Sequence, residues 1–177
     1  GVKLKVCYFK PESDLNVNLI ELYKQNVVGC TRQFSYSTKN HNTIDMVLSL
    51  NGIPIVALEL KNQFKGQNYE NAISQYQDDR DPREFCFKLN HRFLVYFAVD
   101  LYEVWMATSL SGKSTRFIPF NQGSNGAGNT GGKGNPKNDD GYATSYLWET
   151  VLQKDALLDL VHRFISFVTE KESITKN

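Results

Sequence analysis

The sequence predicts an α/β (α+β) fold in which a mixed central β-sheet is flanked by helices. Two observations support this class. Short runs of apolar and β-branched residues are bounded by Gly, Asn, Pro and Asp, as strands are. Between these runs lie segments in which apolar residues recur every three or four positions, as they do on the buried face of a helix. Because the two patterns alternate along the chain, we expect helices to pack against the sheet.

The first helix is predicted over residues 14–25, where Leu15, Leu19 and Leu22 fall on one stripe that is expected to be buried. Ser13 precedes this stripe. Its hydroxyl is expected to accept a hydrogen bond from a free amide in the first turn, as helix-capping residues do.

A β-hairpin follows. Two apolar segments, residues 43–50 and 53–60, are predicted to be its strands. Asn51 and Gly52 stand between them, and this pair is frequent in tight hairpin turns because both residues tolerate a positive φ.

The remaining elements follow the same two patterns. They are a helix over about residues 69–80 that Pro82 closes, strands at 92–100, 101–109 and 116–120, and a helix at 146–168. Residues 121–141 contain seven glycines and no aromatic residue, so a flexible loop is expected there. We predict a single domain over residues 1–170 and the start of a linker at 171–177.

The composition limits the possible partners and compartments. Lys and Arg number 20 against 19 Asp and Glu, so any contact with DNA has to be local or supplied by a partner. No apolar run approaches the roughly 20 residues of a membrane helix, so no membrane contact is expected. The three cysteines are widely spaced and form no CxxC pair, which is typical of free thiols in the reducing cytoplasm.

The glycine-rich segment does not match a nucleotide-binding loop. A P-loop has the pattern GxxxxGK[ST], in which the glycines and the lysine surround phosphate groups. The two GK pairs of this chain, at residues 112–113 and 132–133, both lack the leading glycine, which is replaced by Ala107 and Ala127 respectively. ATP is therefore not expected to bind here.

The candidate site lies on the hairpin. Asp45 is the only charged residue of its strand, and Glu59 lies near the end of the next strand, two residues before Lys61. A charge on an apolar strand is costly unless it is paired or bound to a metal. We interpret the three side chains as a metal site with a catalytic lysine. An ordinary ion-pair cluster at a strand end is the alternative.

The hairpin register decides whether these side chains meet. A two-residue turn alone would point Asp45 and Glu59 to opposite faces of the sheet. A three-residue loop that includes Ile53, or an equivalent bulge near residues 51–54, places the two acids directly opposite each other. We favour this register because it separates a wholly apolar face, suited to the core, from a face of smaller residues that ends in the ionisable groups.

Such a site has a defined chemistry. Two carboxylates this close repel each other unless a cation lies between them. Oxygen ligands without clustered His or Cys suit Mg²⁺, with Mn²⁺ as a possible substitute. Asp45 and Glu59 are the predicted ligands, with the main-chain carbonyl of Leu60 as a further one. The metal is expected to polarise a scissile phosphate and Lys61 to orient or deprotonate the attacking water, so that a phosphodiester is cut.

The spacing of Asp45, Glu59 and Lys61 on a hairpin between helices resembles the PD-(D/E)xK nuclease superfamily. Longer strings are similar to the N-terminal nuclease region of type I restriction endonuclease R subunits: TIDMVLSLNGIPIVALELKN, NAISQYQDDRDPREF, HRFLVYFAVD, FIPFNQGSNGAGN and TSYLWETVLQKDALLDLVHRFI. The resemblance implies a PD-(D/E)xK nuclease-like fold and Mg²⁺-dependent cleavage of double-stranded DNA. It also implies an ATP-driven helicase motor outside this chain, and methyltransferase and specificity subunits as partners.

The resemblance also assigns individual residues. The two acids and the lysine match the family's metal ligands and catalytic lysine. Gln75 matches the Gln of a QxxxY motif on the following helix, where it is expected to contact DNA or the metal-bound water. The Tyr of that motif is not matched, because Asp79 stands in its place and Tyr76 would point about 100° away from Gln75 on a helix. Glu21 is interpreted as surface charge, with a role as an extra acid as the alternative.

Two other functions stay open. One is a catalytically silent module on the same fold that holds DNA or docks a subunit. The other is a stand-alone repair or junction nuclease, against which the near-zero net charge speaks because such an enzyme must hold DNA unaided. His41 and His91 lack metal-ligand spacing and are interpreted as loop or strand-end residues.

Overall fold

The computed structural model describes residues 5–88 and 91–163 of the chain. Among these residues two compact units are formed, one from residues 5–28 and 146–163 and the other from residues 29–88 and 91–145. The second unit contains the candidate site. The single domain predicted over residues 1–170 stays a prediction, and the linker predicted at 171–177 lies outside the described residues.

A mixed sheet of six strands, which lie in sequence order, is formed within the described residues. The strands are β1 (Val28–Ser35), β2 (Thr43–Leu50), β3 (Ile53–Leu60), β4 (Val95–Val99), β5 (Val104–Ala107) and β6 (Ile118–Pro119). β3 and β4 run parallel, whereas the pairs β2–β3, β4–β5 and β5–β6 are antiparallel. The predicted α/β class with a mixed sheet is confirmed. β1 has no counterpart among the predicted strands.

β2 and β3 are joined by a two-residue turn. Leu50 pairs with Ile53, so the three-residue loop predicted to include Ile53 is wrong. Asn51 and Gly52 form the turn with φ values of 49° and 85°. Two consecutive positive φ values give the turn a twist that matches the flanking strands, which is why the shorter connection is stable.

A β-bulge provides the register that the site needs. The pairing of β2 with β3 shifts by one residue at Ile55, which is left unpaired. Continuing the shifted register to the end of the hairpin places Asp45 opposite Glu59. The expected convergence therefore occurs through a bulge, which lies one residue beyond the predicted segment 51–54.

The connection from β3 to its parallel neighbour β4 contains the helix that carries Gln75. This helix, α2, spans Tyr69–Ser74 and continues in a π-helical turn, Gln75–Asp79, in agreement with the helix predicted over residues 69–80. Asn68 caps α2 by accepting hydrogen bonds from backbone amides in its first turn, while the side chain of Asn71 accepts one from the amide of Asn68.

Both faces of the hairpin are buried, whereas only the wholly apolar face was expected to suit the core. Val47 and Ala57 lie on the site face, yet their exposed fractions are 1% and 0%. They belong to a core cluster whose largest members are aromatic, namely Tyr76, Phe87, Phe93 and Tyr96. The face is covered because α2, in the crossover between two parallel strands, packs on β3 and β4.

The first helix, α1, spans Val17–Lys24 and is shorter than predicted. Asn16, and not Ser13, is its N-cap and accepts a hydrogen bond from the third helical amide. Because the helix begins after this cap, Leu15 lies outside it and is 94% exposed, contrary to the predicted buried stripe. Tyr23 is the buried residue of α1.

The last predicted helix, over residues 146–168, is divided. A π-helical turn spans Leu147–Val151, and an α-helix, α3, occupies residues 154–163. Residues 164–168 lie outside the described part of the chain. None of the described helices is long and apolar enough to cross a membrane.

Residues 121–141 form a loop without regular helix or strand, as predicted. The side chain of Asn135 joins its parts, because it accepts a hydrogen bond from the amide of Gln122 and donates to Asn121 Oδ1 and to the carbonyl of Tyr102, each at 2.8 Å. The predicted flexibility of this loop stays a prediction.

Candidate active site

The predicted catalytic residues converge at the end of β3. Lys61 directly follows this strand, and its backbone amide donates to the carbonyl of Val99 at 2.8 Å, which extends the pairing with β4. Glu59 lies two residues earlier and therefore on the same face. Since β3 is paired with β2 on one side and β4 on the other, the strand end is a rigid base for both side chains.

α2 brings Gln75 to the same place. Asp100, at the end of β4, fixes the start of this helix, because its Oδ2 accepts a hydrogen bond from the amide of Tyr69 at 3.0 Å. Gln75 opens the π-helical turn, and its Oε1 accepts a hydrogen bond from Lys61 Nζ at 2.5 Å. Gln75 therefore orients the lysine, while its expected contact with DNA or metal-bound water stays a prediction.

Asp45 is held by two donors. Its Oδ2 accepts a hydrogen bond from the amide of Leu60 at 2.9 Å, and its Oδ1 accepts one from Gln33 Nε2 at 3.2 Å. Lys61 Nζ lies 4.0 Å from Oδ2, which is close enough for an ion pair. Gln33 is itself held by Thr43, whose hydroxyl donates to Gln33 Oε1 at 2.7 Å. The orientation of Asp45 is thus fixed from both strands beside it.

Glu59 is completely buried and forms an ion pair with Arg80. The guanidinium donates to Glu59 Oε1 from Nη2 at 2.6 Å and from Nε at 3.1 Å, and Nη2 also donates to the carbonyl of Thr43 at 2.8 Å. The other oxygen of Glu59, Oε2, is buried and has no hydrogen-bond partner among the described residues. A buried carboxylate oxygen without a partner is unusual, because its desolvation is then uncompensated.

The surroundings of Glu59 disfavour its ionised form. Burial raises the pKa of Glu59 from 4.5 to about 7, although the positive charge and hydrogen bonds of Arg80 act in the opposite direction. The nearby charge of Asp45 raises this pKa further, as does the hydrogen bond that protonated Glu59 can share with the Asp45 carboxylate. A cation beside Oε2 would therefore stabilise the ionised carboxylate.

The oxygen atoms at this place fit a divalent cation such as Mg²⁺. Asp45 and Glu59 offer carboxylate oxygens, one of them unpartnered, and the carbonyl of Leu60 belongs to the residue between Glu59 and Lys61. Among the described residues no group of three or more His, Cys, Asp or Glu side chains is arranged to hold a metal ion. A site with two carboxylates is the kind that Mg²⁺ occupies, because this ion keeps several water ligands.

A polar cavity of about 440 Å³ opens beside the site. It is lined by His41, Asn42, Thr43, Gln75, Asp79 and Arg80. Asp79, which stands at the sequence position of the motif Tyr, lines this cavity. Tyr76, by contrast, is fully buried and donates from its hydroxyl to the carbonyl of Phe97 at 3.3 Å.

Two residues of the site were not found from the sequence. Arg80 follows the π-helical turn, where the sequence indicates only the end of a helix. Gln33 lies in β1 and has a φ of 49°, a backbone conformation that is strained for a residue with a side chain. Glu21, the possible extra acid, forms an exposed ion pair with Lys24 at 2.8 Å on α1, as expected for surface charge.

The comparisons with known proteins decide the family. Residues 1–125 match the family model for the type I restriction enzyme R protein N terminus (HSDR_N). This chain belongs to that family. The match confirms the resemblance seen in the longer sequence strings, and the matched segment of the R protein includes all the converging residues. Comparison with curated proteins and with solved structures gave no match.

Proposed function

We propose that this R-protein N terminus is the DNA-cleaving region of a type I restriction enzyme and hydrolyses phosphodiester bonds of double-stranded DNA with Mg²⁺, or with Mn²⁺ in its place. Two observations carry the proposal together: Lys61 contacts both Asp45 and Gln75, and Glu59, which lies opposite Asp45, has a buried carboxylate oxygen, Oε2, with no hydrogen-bond partner among the described residues. Such an atom is uncommon both in a surface ion-pair cluster, where water solvates the carboxylate, and in a packed core, where buried polar groups are usually hydrogen-bonded.

The cation would be held by Asp45, Glu59 and the carbonyl of Leu60, and would supply Lewis-acid polarisation of the scissile phosphate. Lys61 carries three N–H donors, of which one is used by Gln75. The others can donate to a phosphate oxygen as negative charge develops on it, or position the attacking water. Gln75 holds the ammonium group in place, because its carbonyl oxygen faces Nζ.

The other functions of the restriction enzyme belong to parts outside this chain. Neither GK pair of the sequence forms a P-loop, so ATP would act at a helicase motor elsewhere in the R subunit. The DNA sequence would be read by specificity subunits and protected by methyltransferase subunits in the cytoplasm. The near-zero net charge of the chain, +1, agrees with a nuclease that is delivered to DNA by such partners.

The first test is binding of Mn²⁺, followed by electron paramagnetic resonance. We expect wild type to bind the ion and Asp45→Ala to lose at least tenfold in affinity, because one of two carboxylate ligands is removed. Asp159→Ala is the control, since Asp159 is an exposed acid that pairs with Arg163 on α3. If wild type and Asp45→Ala are indistinguishable, the metal-dependent function is wrong.

The second test uses the restriction enzyme reassembled with its other subunits. Lys61→Ala is expected to abolish DNA cleavage and to leave ATP hydrolysis unchanged, because the ammonium group contacts Asp45 and Gln75 of the candidate site and ATP would act elsewhere. Loss of both activities would mean that the lysine is needed for the fold or for the assembly.

A catalytically silent DNA-holding or docking module is the second candidate. One observation favours it: Arg80 neutralises Glu59 inside the fold, so the acid has a structural partner without any cation. The Mn²⁺ titration separates the two candidates, because a silent module has no reason to bind the ion through Asp45.

A further inference from the structure

Arg80 binds one oxygen of Glu59 and makes no hydrogen bond to the other. Both of its donors to the carboxylate, Nε and Nη2, reach Oε1, at 3.1 and 2.6 Å. Arginine commonly pairs with a carboxylate through both oxygens, one for each nitrogen. Here the guanidinium is displaced toward one side, and Oε2 is the buried atom without a partner among the described residues.

The position of Arg80 is fixed by contacts other than Glu59. Nη2 also donates to the carbonyl of Thr43 at 2.8 Å, where β2 begins, and the guanidinium lies over the ring of Tyr36 with 5.4 Å between Cζ and the ring centroid. Only 4% of Arg80 is exposed. A planar group held in this way determines the plane of the carboxylate that it binds.

Two roles for this arrangement are distinguishable. If Arg80 occupied the place of the cation, it would have to leave Glu59 before the ion could bind, and its removal would tighten binding. If it instead orients Glu59, both partners can bind the same carboxylate at once, and its removal would weaken binding. Because Arg80 uses Oε1 alone, the geometry favours the second role.

We propose that Arg80 is a positioning residue for the divalent cation: it binds Glu59 Oε1, fixes the plane of the carboxylate and thereby presents Oε2 to the ion. This inference rests on the proposed function, since it presupposes that Glu59 is a ligand. Residues that orient metal ligands from behind commonly affect metal affinity on the order of 10–100-fold when they are replaced.

The experiment measures the Mn²⁺ affinity of the whole chain by electron paramagnetic resonance for wild type, Arg80→Lys and Arg80→Met, with circular dichroism to establish that each is folded. We expect both variants to bind about 10–100-fold more weakly, since lysine keeps the charge but lacks the planar fork. Arg83→Met is the control. Arg83 is an exposed arginine that pairs with Asp81, and its replacement should leave the affinity unchanged.

A second comparison guards against loss of folding in Arg80→Met, which leaves Glu59 buried without its partner. Neither Glu59→Gln nor the double variant Glu59→Gln/Arg80→Met has a buried carboxylate, and the double variant also lacks the Arg80 charge that Glu59→Gln leaves unpaired. If Arg80 acts through Glu59, the Arg80→Met substitution changes the Mn²⁺ affinity of the Glu59→Gln variant little. The same substitution changes the Mn²⁺ affinity of wild type strongly. Equal effects in the two backgrounds would overturn the proposal.

The outcomes separate this inference from the proposed function. Unchanged affinity in folded Arg80→Lys and Arg80→Met would mean that the ion pair only stabilises the fold. Tighter binding in either variant would mean that Arg80 competes with the cation. Both results overturn the positioning role while leaving the nuclease proposal in place. Absence of Mn²⁺ binding by wild type would overturn both.

Discussion

Glu59 is expected to lower the stability of the folded chain as the pH rises when no divalent cation is present. Its pKa is about 7 in the folded chain, against 4.5 for an ordinary glutamate. Between these values the folded chain holds a proton that the unfolded chain has released, so raising the pH favours unfolding. Since one pH unit corresponds to about 1.4 kcal/mol, the loss across this interval is about 3 kcal/mol.

The perturbation that isolates this effect is Glu59→Gln, which keeps the size of the side chain but cannot ionise. Urea unfolding in the presence of a chelator, at about pH 5 and about pH 8, gives the free energy of unfolding of both proteins. We expect the stability of the variant relative to wild type to increase by about 3 kcal/mol from the lower to the higher pH. Glu70→Gln, at an exposed position of α2, is the control for the loss of a carboxylate from the surface.

Two results would refute this reasoning. Equal pH dependence of wild type and Glu59→Gln would mean that burial does not disfavour the ionised carboxylate. A wild type that gains stability relative to the variant as the pH rises would mean that Arg80 outweighs burial. Added Mg²⁺ should reduce the loss in wild type, because binding to the folded state stabilises it.

Three further substitutions test local features. Gln33→Ala should be less stable than Gln33→Gly by about 1 kcal/mol, because both lose the amide but only alanine keeps a Cβ at the positive φ; equal thermal unfolding of the two would contradict this. Tyr76→Phe should lose about 1 kcal/mol with its hydrogen bond to Phe97 and keep its Mn²⁺ affinity, whereas a loss of affinity would mean that Tyr76 serves the site. Asn68→Ala should lose about 1 kcal/mol in chemical denaturation, because it removes the cap of α2; unchanged stability would mean that the cap contributes nothing.

The hairpin was predictable because its information is local. Alternating apolar residues define the two strands, and Asn51 with Gly52 defines the turn. The bulge at Ile55 was not predictable as such, since nothing in that residue distinguishes it from its paired neighbours. The shift in register that the bulge produces was nevertheless predictable, because only the shifted register places Asp45 and Glu59 on the same face of the hairpin.

β1 and Arg80 were missed for different reasons. β1 is largely exposed, so it lacks the apolar alternation that indicates a strand, and it is a strand because β2 offers it an edge to pair with. Arg80 acts through partners that are distant along the chain, Glu59 and Thr43. A contact of this kind becomes visible only when the fold brings its members together.

The π-helical turn at Gln75–Asp79 has a consequence for how the chain tolerates insertions and deletions. An α-helix turns once in about 3.6 residues, whereas a π-helical turn closes its hydrogen bond over five. Gln75 opens the turn and contacts Lys61, and Arg80 follows the turn and contacts Glu59. The extra residue sets the angle about the helix axis between these two residues. Residues within the turn can therefore change in identity more readily than in number, because removal of one of them would rotate one contact away from the site while preserving the helix.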